Sequence, residues 1–578
     1  MEKRWVLKPQ GDADAVTRLA AELRINRILV NLLVQRGITT YEEARRFFRP
    51  SLDMLHDPFL MKDMDKAIDR INMAVENKEK VMVYGDYDVD GTTAVSLVYT
   101  FLKSLSGDIA HYIPDRYKEG YGISKQGIDF AKENGYSLII ALDCGIKSVD
   151  KIDYANSLGV DFIICDHHRP GAEIPNAVAV LDPKRNDCPY PYKELSGCGI
   201  GFKLVQAFAQ QNEMPFSQLE QYLDLVAISI AADIVPITGE NRILAFYGLQ
   251  RLNREPRPGI KAILELSGFK RDELTINDIV FTIAPRINAA GRIESGTKAV
   301  ELLISRNEDL AGFLGDDIND QNNTRKNLDQ LITDQALQQI EDNEGFKNRK
   351  STVLYNPEWH KGVIGIVASR LTDRYYRPTI VLTKSNGMVS GSARSVKDFD
   401  VYNAIESCSE LLEQFGGHMY AAGLTMREEN VEAFREKFEA IVSSTIEEKM
   451  LTREIEIDAE LSLTDITGSF YNILKQFAPF GPGNLSPIFR SSGVRDNGRG
   501  RIVGNNHLKL TLTQEGNQPG VYDGIAFQLG HHHPMVEQQE AFDVVYHIEE
   551  NNFNNRITLQ LNIKDLKFVR ERDFVSVV

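Results

Sequence analysis

No apolar stretch in the 578 residues approaches the roughly 18 that a membrane span requires. The first residues, MEKRWVLKPQGDADAV, hold no apolar run of the kind that begins a secretory signal. Cysteine is scarce. Cys144, Cys165, Cys188, Cys198 and Cys408 form an odd set without a CxxC pair, which excludes a disulfide framework and fits reduced, buried thiols in the cytoplasm. There is no GxSxG and no P-loop, so serine-esterase and nucleoside-triphosphatase chemistries fall away. Internal repeats and long low-complexity linkers are also missing.

The composition is that of a globular chain, with 42% hydrophobic and 26% charged residues, but 578 residues are too many for one core. Three or four domains are expected. The formal net charge of −16 runs against the basic balance of most phosphate binders. Clustered catalytic carboxylates inflate such a total, and a local basic groove survives beneath it, so the global figure does not decide the partner.

Residues 84–91 read YGDYDVDG, directly after the apolar run Val81-Met82-Val83. Three carboxylates at the end of a buried strand would each be expensive to desolvate alone, so a cation is expected among them. Carboxylates suit Mg2+ and Mn2+. Along an extended segment, alternation would point Asp86, Asp88 and Asp90 to one side.

From about 81 to 235, apolar runs alternate with amphipathic stretches. The pattern predicts strands over 81–84, 137–142 and 161–165 and helices over 92–103, 124–134 and 149–157, hence a parallel α/β sheet. Such sheets place their sites at the carboxyl ends of the strands. Residues 217–342 read as helical, with the polar stretch 316–339 as a long solvent-spanning helix between domains. A second α/β unit begins near Ser351. After Ile455, short strands with Gly and Asn turns predict a small barrel or sandwich.

Four motifs carry chemistry. Asp86, Asp88 and Asp90 follow the first strand, Asp143 follows 138–142, Asp166-His167-His168 follows 162–165, and Asp233 follows the apolar run 225–232. A single Asp in such a place is more often a helix N-cap than a ligand. Four motifs at matched element ends exceed what capping explains, and imidazole beside converging carboxylates is a metal ligand. This inventory suits two divalent cations bridged by a carboxylate.

In this order, GDYDVDG, LDCG, DHH and ADIVP resemble the DHH phosphoesterase superfamily. IPDRYKEGYG, LSGCGIGFKL, PRINAAGRI, NPEWHKGVIGIVASRL, GSARS, GGHMYAAGL and PFGPGNLSPIF are similar, more specifically, to its single-strand-specific DNA exonucleases, over about residues 20–570. The resemblance implies an α/β fold with a parallel-sheet DHH domain over 71–300, a connecting helix over 301–345 and a second α/β DHH-associated domain over 346–450. An OB-like β-barrel over 451–578 and an N-terminal helical segment over 1–70 complete it.

The resemblance also implies two Mn2+ or Mg2+ ions. Asp88 and Asp143 would hold one, and Asp90, Asp143, His167 and Asp233 the other, with Asp143 as the bridge. Asp86 would be a further ligand or a supporting partner. Asp166 would orient the histidines and His168 would face the substrate phosphate. Asp143, Asp166 and His168 are thus the expected catalytic set.

Phosphate and base contacts are expected from several places. Arg286, Asn288 and Arg292 stand among small residues that allow close approach. His360 precedes a helix whose amides suit an anion. Ser392 and Arg394 lie between Gly391 and Ser395, and Gly417 and His418 read as a tight loop. The implied activity is hydrolysis of single-stranded DNA from the 5′ end to 5′-mononucleotides, in repair and recombination. A monomer is expected, with no membrane association, and with a single-stranded-DNA-binding protein and a helicase as partners. Two rivals are a phosphodiesterase for short RNA or cyclic dinucleotides and a non-catalytic binding scaffold. The C-terminal barrel disfavours the first, and the intact ligand motifs disfavour the second.

Overall fold

The structure, a computed structural model, describes residues 3–515, 520–553 and 556–568. The chain divides into two compact units, Met54–Arg453 and a second made of Met1–Asp53 with Glu454–Val578. Among the described residues, no helix is long and apolar enough to cross a membrane.

The larger unit holds two sheets. In the first, five parallel strands run in the order Ile109–Tyr112, Lys80–Gly85, Tyr136–Leu142, Asp161–Cys165, Ala179–Leu181. Strands covered on both faces read as near-continuous apolar runs, as Leu138 to Leu142 do. One face carries Met82, Ile139, Ala141 and Phe162 against Ile128, Ala131, Ile152 and Ala155 of the helices Lys125–Glu133 and Val149–Ser157. On the other face Leu142 and Val98 of the helix Val89–Leu105 both close on Gly201 of the helix Gly197–Gln211.

The second strand in the chain lies on one side of the first, and the third lies on the other. That reversal, between Lys80–Gly85 and Tyr136–Leu142, opens a crevice at the carboxyl ends of the strands. Asp86 and Asp143 follow the two strands that flank it. Ile109–Tyr112 and Ala179–Leu181 were not foreseen, because four and three residues are too short to show a period.

One expectation fails. The segment carrying Asp86, Asp88 and Asp90 is not extended throughout. Asp88 is the N-cap of the helix Val89–Leu105, and Asp90 lies in its first turn. The Asp88 carboxylate accepts the otherwise free Gly91 N–H at 3.0 Å. Helical rotation, not strand alternation, therefore separates Asp90 from Asp86.

The second sheet runs Gln414–His418, Ala421–Met426, Met388–Arg394, Thr379–Ser385, Thr352–Tyr355, with only the last two strands paired in parallel. Gly416, Gly417 and His418 form an outer hairpin strand rather than the tight loop expected, and Gly417 pairs with Ala422. Between the sheets runs the helix Glu308–Asp342, whose 35 residues span about 50 Å. Ala311, Leu314 and Ile318 are buried near its start. Ile332, Ala336 and Ile340 near its end share a core with Val363, Val367 and Leu371. Between these docks it buries Gln321, Asn322 and Asp329, and the Asp329 carboxylate accepts from Arg370 Nη2 at 2.6 Å. The helix expected over 316–339 is present but half sunk rather than solvated.

In the smaller unit, five strands close on themselves. Phe489–Asp496 pairs with His507–Gln514, that strand with Val521–Ala526, and Val521–Ala526 in parallel with Arg556–Phe568. Arg556–Phe568 pairs with Phe542–Phe553, which returns to Phe489–Asp496. This circuit is that of an oligonucleotide-binding barrel. The helices Ala13–Leu23, Arg27–Gln35 and Tyr41–Phe48 belong to the same core, where Leu19, Leu29 and Leu33 join Phe489, Leu510 and Leu561. Phe47 and Phe48 each meet Phe477 edge-on with centroids 5.4 Å apart. Arg4–Leu7 pairs in parallel with Glu454–Ile457.

Because Phe477 is fully buried at this seam, Phe477→Ala is expected to cost about 3–5 kcal/mol. A lower urea midpoint would show it. Phe47→Ala should lower the same transition, and a separate transition for the helices would refute the shared core.

Candidate metal centre and phosphate track

The crevice gathers acid from every strand end around it. Asp86, Asp90 and Asp143 are almost wholly buried, and His167 is buried beside them. His167 Nε2 lies 3.2 Å from Asp143 Oδ1, 3.5 Å from Asp233 Oδ2 and 3.7 Å from Asp90 Oδ2. Asp90, His167 and Asp233 form one group with metal-ligating geometry, and Asp143, His167 and His168 form another.

Asp90 is anchored by the N-terminus of the helix Gly197–Gln211. It accepts the Gly197 and Cys198 N–H groups at 2.7 Å each, and Ser229 Oγ donates to it at 2.7 Å. Its neighbours lack such support. Both Asp86 oxygens, Asp143 Oδ1 and both His167 ring nitrogens are buried with no hydrogen-bond partner. Buried polar atoms are normally satisfied, so this cluster of acceptors at one point needs a cation. The residues present therefore fit divalent metal: hard carboxylate oxygens with an imidazole, as Mn2+ and Mg2+ take.

Electrostatics agree. Burial, then the neighbouring Asp88, holds the Asp86 carboxyl well above the usual range. Burial and then Asp90 do the same to Asp143, and they push Asp233 up to about 8. Burial pushes His167 down, so it is neutral and able to ligate.

Asp166 plays a different part. It accepts the Ile146 N–H at 2.9 Å and the His167 N–H at 2.7 Å, and it bonds His168 Nδ1 at 2.7 Å. Burial opposes its ionisation, but the His168 ring and the Ile146 and His168 amides hold it down at about 2. The same pair, against the pull of burial, lifts His168 to about 9. Asp166 thus orients one histidine by its ring and the other only through its backbone. Tyr121, more than half exposed, sets its hydroxyl 3.3 Å from His168 Nε2.

A basic track adjoins this acid. Arg292 and Arg286 leave one helix, Ala284–Ile293, in different directions. Arg292 Nη1 donates to the Gly362 carbonyl at 2.9 Å, and Tyr117 Oη donates to the Arg292 carbonyl at 2.5 Å. A Cβ on Gly362 would fall 2.7 Å from that hydroxyl, so glycine is what admits this approach of the two α/β domains. Arg394 donates to Ser392 Oγ at 2.9 Å and to Ser369 Oγ at 3.1 Å. Burial and then Arg116, Arg325 and Arg394 press Arg292 down to about 10. His360 and Lys361 are pushed down by burial and then by Arg116.

Arg292, Ser392, Arg394 and His360 lie near one another, Arg292 and His360 at Gly362 and Ser392 and Arg394 beside Gly365. Asn288 is half-buried on the helix of Arg286 and Arg292. Gly417 and His418 are exposed on the outer strand, and no hydrogen bond among the described residues joins them to the arginines. Arg116, Arg325, Lys326 and Ser369 were missed. Arg116 stands inside the quoted IPDRYKEGYG with nothing local to mark it. It lies 4.9 Å over the Tyr87 ring. Arg325 and Lys326 sit in the stretch that reads as a solvated helix.

A parallel sheet with acid and imidazole at its switch point, followed by a second α/β domain, defines a DHH-type phosphoesterase. Residues 80–230 match the DHH family, N-terminal domain, residues 348–444 the DHHA1 domain and residues 457–565 the RecJ OB domain. The chain belongs to the RecJ family. It is 38% identical to the single-stranded-DNA-specific exonuclease RecJ of Bacillus subtilis, over 97% of this chain and 70% of that one. It is 33% identical to RecJ of Salmonella typhimurium, over 96% of this chain and 98% of that one. Its fold matches the crystal structure of RecJ in complex with Mn2+ from Thermus thermophilus with a TM-score of 0.83, at 26% identity, over 98% of this chain and 79% of that one.

Two outcomes are expected. A Cβ at Gly197 would fall 2.7 Å from Asp143 Cβ. Gly197→Ala should therefore weaken Mn2+ binding by about 10–100-fold in calorimetry, with the far-UV spectrum unchanged. Carboxyls with raised values bind protons more tightly folded than unfolded, so between about pH 4 and about pH 8 the metal-free fold loses stability as pH rises. Asp166, held down, acts in the opposite sense only below about pH 4. Melting in EDTA should drop from about pH 5 to about pH 8, and excess Mn2+ should remove the slope.

Proposed function

We propose that the chain is a metal-dependent exonuclease that hydrolyses single-stranded DNA from the 5′ end and releases 5′-mononucleotides. The observation that carries this reading is the set of buried, unpartnered carboxylate and imidazole atoms at the sheet's switch point. Asp90, Asp143, His167 and Asp233 would hold one divalent ion. Asp88 and Asp143 would hold the other, and Asp86, with two free buried oxygens, would join them. Two such ions supply an activated water and neutralise charge on the leaving oxygen.

The chain's own residues do the rest. Asp166 keeps His168 protonated at neutral pH, so its ring presents positive charge at the mouth of the crevice. A scissile phosphate there gains a charge-assisted hydrogen bond from Nε2. Asp90, tied to the Gly197 and Cys198 amides, keeps its place while neighbouring ligands adapt. Arg292, Arg394 and Ser392, with Arg116 beside them, would seat the terminal 5′-phosphate, because guanidinium groups match phosphate in bidentate geometry. A seat for the strand end beside the metal centre gives both exonucleolytic action and its polarity. The barrel would add a further surface for single-stranded DNA.

The line of descent supports repair and recombination as the setting. Monomeric action in the cytoplasm, with a single-stranded-DNA-binding protein and a helicase supplying the strand, fits this reading.

A single strand labelled at either end, incubated with Mn2+ or Mg2+, tests the reading. Mononucleotide should leave the 5′ label first, and Asp143→Ala should reduce release at least about 1000-fold. Early release from the 3′ label, or turnover of dinucleotides alone, would sink it. Arg394→Gln should raise KM for 5′-phosphorylated strands about 10–100-fold, from the loss of charged hydrogen bonds. A 5′-hydroxyl strand should be affected far less.

A further inference from the structure

We propose that Arg286, Arg325 and Lys326 form a second phosphate seat, on the interdomain helix, that takes an internal phosphodiester of the same strand. The inference rests on the nuclease reading above and adds where the strand goes after the scissile bond.

Arg286 and Lys326 lie along one side of the interdomain helix, and Arg325 is the residue before Lys326, about 100° round the helix. Arg286 Nε donates to Asn319 Oδ1 at 3.1 Å, which fixes its guanidinium against the helix Glu308–Asp342. Lys326 lies seven residues beyond Asn319, two turns along the same side. It is exposed, and no ion pair among the described residues engages it. Arg286 is held from below by a backbone irregularity. The π-turn Ile279–Ile283 precedes Pro285, which has no N–H to give and crowds the carbonyl four residues earlier. Arg286 Nη1 donates to the Thr282 carbonyl of that turn at 2.7 Å. Both of its hydrogen bonds thus go to neutral groups, and its charge is uncompensated.

Arg325 is also short of acceptors. Its Nη2 donates to Asn322 Oδ1 at 2.9 Å, while its Nε is buried without a partner. Its carboxylate, Asp329, stands 3.9 Å away and is already bound by Arg370 at 2.6 Å. One carboxylate cannot neutralise two guanidinium groups. Burial and then the other members depress the basicity of Arg286 and Lys326, as expected of like charges awaiting an anion. Arg325 also acts on Arg292, so this seat adjoins the terminal one. A phosphodiester brings one negative charge and two free oxygens, which suits a guanidinium fork beside a mobile ammonium.

The test is a binding scan in EDTA, which stops cleavage. Twenty-residue DNA strands carry one neutral methylphosphonate at successive linkages. For the wild-type protein, one internal linkage should weaken binding about 3–10-fold when neutralised. Lys326→Gln and Arg325→Gln should each erase that sensitivity, as coupled pairs do. The slope of log affinity against log salt should fall by about 0.7 in Lys326→Gln, the share of one phosphate on a single strand. Arg325→Lys should keep the slope. Lys326 is exposed, so its variant folds even if Arg325→Gln does not. An unchanged slope in Lys326→Gln, or coupling to the 5′-terminal phosphate alone, overturns the seat and leaves the nuclease reading standing. A wild-type protein that neither binds a single strand in EDTA nor cleaves one with Mn2+ overturns both.

Discussion

Charge held out of water without enough partners is the constraint around which the larger unit is built. Asp86, Asp143 and Asp233 sit where burial and mutual repulsion both oppose their ionisation. Nothing in the apolar sheet beneath them relieves that. A fold that tolerates such a site has to over-determine it, and here the surroundings do so through rigid backbone. Strand ends deliver Asp86, Asp143 and Asp166, a helix N-terminus fixes Asp90, and a fully buried sheet keeps the ends in register. The arginine side carries the same imbalance with the opposite sign. Arg116 acts on Asp86 and Arg292 on Asp88, yet neither makes an ion pair with them. The two fields lie close without cancelling, which keeps both available to a substrate that bears phosphate and needs metal.

Much of this could be read in the sequence, for identifiable reasons. The runs at 137–142 and 161–165 are apolar from end to end, so the strands and the acids after them stood out. Asp166-His167-His168 followed a strand by its residue types alone. What could not be read was direction. Asp88 caps a helix that starts at Val89 rather than at the expected residue 92, and this turns Asp90 toward the Gly197 helix rather than alongside Asp86. Gly416 and Gly417 read as a loop because glycine signals turns, whereas here pairing with Ala422 and Gly423 keeps them in a sheet. Arg325 and Lys326 were hidden for another reason. A polar helix pattern looks the same whether water or a ligand is to cover it, and only the neighbouring Arg286 and Asn319 tell the two apart.

The interdomain helix is more than a tether. It is apolar where it docks at each end and polar between, so its two ends are held by cores while its middle keeps polar side chains. At the far dock the buried Asp329 carboxylate is bound by Arg370, whose own side chain is about half exposed. The Gly362 contact with Tyr117 and Arg292 adds a second crossing point. The α/β domains are thus held to one another at more than one point.

The shared core of the smaller unit has a consequence in time. Helices over 13–48 share their core with residues beyond 453, with the whole larger unit intervening in the chain. At about 5–20 residues per second, the roughly 400 residues between them take about 20–80 s to emerge from a ribosome. For that interval Leu19, Leu29, Phe47 and Phe48 have no barrel to bury them. The larger unit, contiguous in the chain, is free to fold first, and the start of the chain waits for its end.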